Sequence, residues 1–161
     1  IGMNPDMKKD IKSLSPRLAL LPLATILGSW LGAMVAYLIM NIDFTSVLQH
    51  RSLSDCMALN SGFAYYSLSS IFITEYRGAE LGTIALLANI IREMITLLLT
   101  PLLAKWFGPL APISTGGATT MDTTLPIITQ TIGQRYVALS IYHGFVTDFS
   151  VPFLVTMWCM L

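Results

Sequence analysis

In a chain dominated by apolar stretches, a few polar side chains stand where charge is costly: Asn89, Arg92, Glu93, Asp122 and His143. Asn89 and Glu93 are four apart, and Arg92 is three from Asn89, so all three can share one helix face. Carboxylates at such depth suit an ammonium ion or a proton, and ionisable groups inside a membrane usually face the bundle interior. An arginine keeps its charge, so it needs a counter-charge. Asp122 is the expected partner of Arg92, which leaves Glu93 for a bound cation. His143 is either a proton carrier or a hydrogen-bonding residue between helices. Ser67, Ser69, Asp122 and His143 are types a hydrolase uses, but no GxSxG, GxGD or HExxH motif accompanies them. The chain is not expected to be an enzyme.

The element that must position these groups is Ser114 to Pro126, STGGATTMDTTLP, inside the apolar run Leu110–Ile132 whose only formal charge is Asp122. Gly116-Gly117 should break a helix there, and Pro126 should begin another. Asp122 and the threonines Thr119, Thr120, Thr123 and Thr124 are candidate caps and ligands. A broken helix at membrane depth is tolerated where its freed backbone is buried or lines a cavity, and such breaks can form binding sites. The backbone N–H groups of Thr123 to Leu125 are the expected anion-facing helix N-terminus.

Composition sets the surroundings. The chain is 54% hydrophobic and 11% charged, with zero formal net charge and a mean hydropathy of +0.67. Soluble domains carry about 25% charged residues, so a lipid bilayer is the expected environment, and a nucleic-acid partner is excluded by the lack of a basic surplus. Cys56 and Cys159 have no CxxC or Cys/His spacing, so no disulfide, metal or cofactor is expected. The opening IGMNPDMKKD lacks a signal-peptide pattern and does not start on methionine. A fragment, a processed piece or the ordered part of something longer is the expectation.

In order, a polar lead from Met3 to Arg17 precedes the uncharged Leu18–Ile42, long enough to span a bilayer. Gly28, Gly32 and Ala36 form a small-residue stripe there, suited to close helix approach or merely tolerated in lipid. Met57–Thr74 is interrupted by Asn60-Ser61-Gly62, and its Tyr65, Tyr66, Ser67, Ser69 and Ser70 suit a bundle interior or an interface. Leu81–Ala104 carries Asn89, Arg92 and Glu93, and Tyr136–Leu161 carries His143 and Asp148. The fold class expected is an all-α membrane protein of about four membrane segments, at least one a discontinuous helix. The positive-inside rule places Lys8, Lys9, Lys12, Arg17, Arg77 and Arg135 in the cytoplasm, with Arg51, Lys105 and the C-terminus outside. A re-entrant Met57–Thr74 would alter that assignment.

The runs SGFAYYSLSS (Ser61–Ser70), IREM (Ile91–Met94), GGATTMDTTLP (Gly116–Pro126), YHGF and VPFL resemble the LysO-type lysine exporter family, from about Ala58 to the C-terminus. Ala64 and Tyr65 depart from that family's usual GFGWYS, and Asp148 has no motif counterpart. The resemblance implies an inner-membrane, multi-pass secondary transporter that exports L-lysine and lysine analogues by antiport with a cation such as H+ or Na+. By analogy, its fold is half of a cation/proton-antiporter-like structure with crossing discontinuous helices. Residues 1–161 would be the C-terminal membrane domain, with an N-terminal half absent or on a separate chain, or a second subunit, or a homo-oligomeric partner. A non-transporting partner subunit, or an antiporter-like protein with another substrate, is the alternative. Glu93, Asp122 and His143 match the family's intramembrane glutamate, its motif aspartate and its HG histidine. Arg92, Asn89, Gly116, Gly117, Thr119, Thr120, Thr123, Thr124, Tyr66 and Ser67 complete the expected substrate and ion site.

Overall fold

The computed structural model describes residues 16–43 and 52–161, and every regular element among them is helical. A 3-10 turn at Pro16–Leu20 leads into α1 (Leu21–Asp43). Then come α2 (Leu53–Asn60), α3 (Tyr66–Arg77) and the long α4 (Ala79–Phe107). α5 (Ala111–Gly116), a 3-10 turn (Gly117–Met121), α6 (Leu125–Ile132) and α7 (Val137–Met160) complete the order. Three segments, Leu18–Ile39, Ala79–Phe107 and Gln134–Met160, have the length and apolar composition to cross a membrane. About 20 residues are needed for that.

The other two stretches turn back on themselves. α2 begins where α3 ends, because Asp55 Oδ1 lies 3.5 Å from Arg77 Nη1. Ser52 and Asp55 form a capping box at the start of α2, and Arg77 Nε also donates to the Cys159 carbonyl at 3.0 Å. The start of α2 and the ends of α3 and α7 therefore share one end of the bundle. At the other end, Leu110, Ile132 and Tyr136 pack on one cluster of Ile113, Ile128 and Leu139, together with Leu18 and Leu21. The α5–α6 stretch thus also starts and finishes together. This corrects the sidedness expected for the basic residues. Arg77 stays at the end where its segment began, so α4 carries Lys105 to the opposite end, with Arg135. Lys8, Lys9, Lys12 and Arg51 lie outside the described residues.

The two returning stretches meet at their tips. Between α2 and α3 the backbone is left-handed at Phe63 (φ 44) and Ala64 (φ 69). Between α5 and α6, Gly117 (φ 59) makes the turn. The Ala118 N–H donates to the Phe63 carbonyl at 2.9 Å, joining tip to tip through the main chain. No side chain fits at Gly117, where a Cβ would strike that same carbonyl. Gly144 of α7 allows equally close approach, since a Cβ there would lie 2.7 Å from the Met121 nitrogen.

In lipid, apolar transfer gives little drive for helices to associate, so packing and hydrogen bonds must hold them. The core joins Ile26, Phe63, Ile73, Leu81, Val151 and Val155, with Trp30 edge-on to Trp158 at 5.4 Å between ring centres. Hydroxyls in this setting bond back to their own helices. Ser69, Thr96, Thr100 and Thr147 donate to the carbonyls of Tyr65, Arg92, Thr96 and His143 at 2.8, 3.0, 2.5 and 2.7 Å.

Candidate functional site

Where the tips cross, a cavity of about 210 Å³ opens, lined by Tyr65, Tyr66, Ser67, Glu93, Thr119, Met121, Asp122, Thr123 and Asp148, with Ala64 and Ala118. It falls below the roughly 300 Å³ at which drug-sized pockets begin, and suits a ligand of amino-acid size. Three elements each bring one carboxylate: Glu93 from α4, Asp122 from the link into α6, and Asp148 from α7. Among the described residues no lysine or arginine lines the cavity. The arrangement offers negative charge and hydrogen-bond acceptors to a cation. Thr123 supplies a side-chain hydrogen bond to Glu93.

The cavity gathers Glu93, Asp122, Thr119, Thr123, Tyr66 and Ser67 from the residues expected in the site. It leaves out Asn89, Arg92, Gly116, Gly117, Thr120, Thr124 and His143, which do not line it. Asn89 is buried; its Oδ1 accepts the Ala64 N–H at 2.8 Å, and its Nδ2 donates to Ser69 Oγ at 3.2 Å and the Ala85 carbonyl at 2.9 Å. It holds the left-handed tip. Asn89→Leu is expected to cost about 1–3 kcal/mol, because the Ala64 N–H would stay buried and unpaired. Thermal melting of the purified protein checks this, and an unchanged midpoint would remove Asn89 from the support of the tip.

His143 is fully buried between Thr25 Oγ1, 2.9 Å from Nε2, and Thr120 Oγ1, 3.4 Å from Nδ1. It ties α1, the 3-10 turn and α7 together. Thr120 Oγ1 also lies 2.9 Å from the Ser140 carbonyl. Thr124 is buried with its hydroxyl 3.4 Å from that of Thr119. Gly116 and Gly117 are buried in the turn itself.

Two expectations are overturned. Arg92 does not pair with Asp122. Its Nε donates to the Thr115 carbonyl at 2.9 Å and its Nη2 to the Ser114 carbonyl at 3.2 Å, with Phe63 beneath it at 5.4 Å. The last carbonyls of a helix lack partners and attract cations, so Arg92 closes the C-terminus of α5. Nor do Thr123 to Leu125 offer free N–H groups. Thr123 donates to its neighbour Asp122 Oδ1 at 2.5 Å, Thr124 to the Thr119 carbonyl at 3.0 Å and Leu125 to the Asp122 carbonyl at 3.3 Å. The helix N-terminus that does face the cavity is that of α3, at Tyr66 and Ser67.

Asp148 and Tyr65 are the polar cavity residues missing from the expected site, beside the apolar Ala64, Ala118 and Met121. For Asp148 a signal existed, since an ionisable residue in the middle of an apolar span is functional by default. Its place five residues after His143, about 140° around the helix, sets it apart from that residue.

A family model described as "Lysine exporter LysO" matches residues 1–159. The chain is 32% identical over 142 residues to "Lysine exporter LysO" of Escherichia coli (strain K12), covering 88% of this chain and 44% of that protein. It is 33% identical over 129 residues to "Putative lysine exporter" of Haemophilus influenzae (strain ATCC 51907 / DSM 11121 / KW20 / Rd), covering 80% of this chain and 61% of the relative. No solved structure matches it. The chain thus spans about half the length of these curated relatives.

Proposed function

The chain belongs to the lysine exporter LysO family, and from that premise we propose that it carries the substrate site of a secondary transporter exporting L-lysine across the cytoplasmic (inner) membrane. The observation that carries this reading is the cavity at the crossing tips, with Glu93, Asp122 and Asp148 around it and no lining cation. Lysine brings two ammonium groups and one carboxylate. Glu93 and Asp122, with Asp148 beside them, receive the ammonium groups. The substrate carboxylate goes to the α3 N-terminus, where the helix dipole and the Tyr66 and Ser67 N–H groups favour an anion.

A carboxyl that holds an ammonium can instead hold a proton, so lysine and H+ exclude each other at one site. Exchange across the membrane then needs no second pathway: lysine leaves outward, and the coupling cation, H+ or Na+, returns inward. The α2–α3 and α5–α6 stretches are the discontinuous helices of this transporter, entering from opposite faces as re-entrant hairpins.

Asp148→Asn is expected to weaken lysine exchange by about ten- to a hundredfold, from the ~1.5–3 kcal/mol of a hydrogen bond to a charged group. Radiolabelled lysine exchange in proteoliposomes measures it, and wild-type affinity in the variant would remove Asp148 from the site. The share of the relatives that this chain spans favours a second reading, in which it is one subunit that transports only beside another. The same assay with and without the remaining polypeptide decides between them.

A further inference from the structure

We propose that the groove between α1 and α4 seats an apolar helix from outside these 161 residues, bearing a carboxylate that pairs with Arg92. Two clefts of about 500 Å³ each run along these helices and share Ser29 and Ala88, so they make one continuous groove. Gly28, Gly32 and Ala36 line its α1 wall, and among the described residues a Cβ built at Gly28 or Gly32 meets nothing within 4 Å. Space of that kind between spanning helices admits another helix at close range.

Arg92 identifies the occupant. Its guanidinium lines the groove, and no carboxylate among the described residues pairs with it. Guanidinium has five N–H donors, and its two hydrogen bonds go to neutral carbonyls. Carbonyls at the end of the six-residue α5 satisfy donors but offset only part of a full charge, and the remainder is costly in an apolar setting. A lipid headgroup cannot supply the anion. The ends of α4 lie roughly 20 Å from Arg92 at 1.5 Å per residue, so the helix overspans the hydrocarbon core and Arg92 stands near its middle, ~15 Å from either headgroup layer. A second copy of the chain is a poor donor, since Glu93, Asp122 and Asp148 all line its own cavity. The relatives, being longer than this chain, have polypeptide from which such a helix can come.

The test uses the protein in its producing membranes, with whatever polypeptide completes it there. Gly28→Trp and Gly32→Trp are compared with Leu27→Trp and Leu31→Trp, whose native side chains are 56% and 64% exposed. An empty groove has room for indole, so a lipid-filled groove predicts equal yields of monodisperse protein for both pairs, and that result overturns the docking. A seated helix predicts at least a fivefold loss at the glycine positions alone. In a second arm, Arg92→Lys membranes are treated with dicyclohexylcarbodiimide, which condenses an amine with a nearby carboxyl to an amide and leaves as its urea. A cross-linked peptide from outside the 161 residues is the expected product. A link to Glu93, Asp122 or Asp148, or no link at all, overturns the carboxylate pairing. Neither readout depends on lysine transport.

Discussion

Glu93→Gln abolishes lysine exchange, by at least a hundredfold, while the protein still inserts and melts as the native chain does; this is the largest functional effect expected. The substitution keeps an oxygen to accept the Thr123 hydrogen bond and removes only the negative charge. No arginine or lysine among the described residues lines the cavity beside Glu93, so on the proposed reading its charge receives an ammonium or a proton from outside. Flux in proteoliposomes and the elution profile of the same preparation together provide the check. A monodisperse Glu93→Gln protein with native flux would sink the assignment. A variant that fails to fold would show instead that Glu93 belongs to the packing, contrary to its surroundings.

The largest structural effect is expected at Gly117. Its backbone (φ 59, ψ −124) is one that L-residues rarely adopt, and holding alanine there costs roughly 1–3 kcal/mol. A Cβ also comes within 3.0 Å of the Phe63 carbonyl carbon, and closer still to its oxygen. That oxygen accepts the Ala118 N–H, so moving it away breaks the bond between tips, at about 1–3 kcal/mol for a buried donor left unmade. Gly117→Ala should therefore lower the melting midpoint by about 5–15 °C at the roughly 2–4 °C per kcal/mol of a chain this size. Gly133→Ala is the control, with a similar strained backbone (φ 98) and nothing within 4 Å. Equal shifts in the two variants would mean that the close approach at Gly117 carries no weight.

Some of this was legible in the residues. Gly116-Gly117 marks the turn between α5 and α6 because glycine is the ordinary solution for φ > 0. The uncharged run from Leu18 likewise marks α1. The other tip is less visible, since its left-handed residues are Phe63 and Ala64, whose types do not advertise such a backbone. What permits them is Asn89, distant in sequence, whose carboxamide takes the Ala64 N–H. Arg92 misled for a related reason. Side-chain chemistry alone names a carboxylate, whereas the carbonyls ending α5 become available only once that helix is folded. Asp148 lacked a motif, and its membership of the cavity follows from the crossing of three elements.

The meeting of the two tips has a consequence for motion. Ser61-Gly62-Phe63-Ala64 and Thr115-Gly116-Gly117-Ala118 share one Ser/Thr-Gly-x-Ala pattern, each at a tip. Asn89 and His143 follow their alanines at the same distance in sequence, and each braces its own tip. After α1, a hairpin followed by a long helix occurs twice, once from each end of the bundle. Proteins built from inverted repeats can exchange the conformations of their two copies, and the exchange turns an inward-facing shape into an outward-facing one. In this chain the Phe63–Ala118 hydrogen bond joins the two hairpin tips directly beside the cavity, so any movement of one hairpin against the other must pass through that contact.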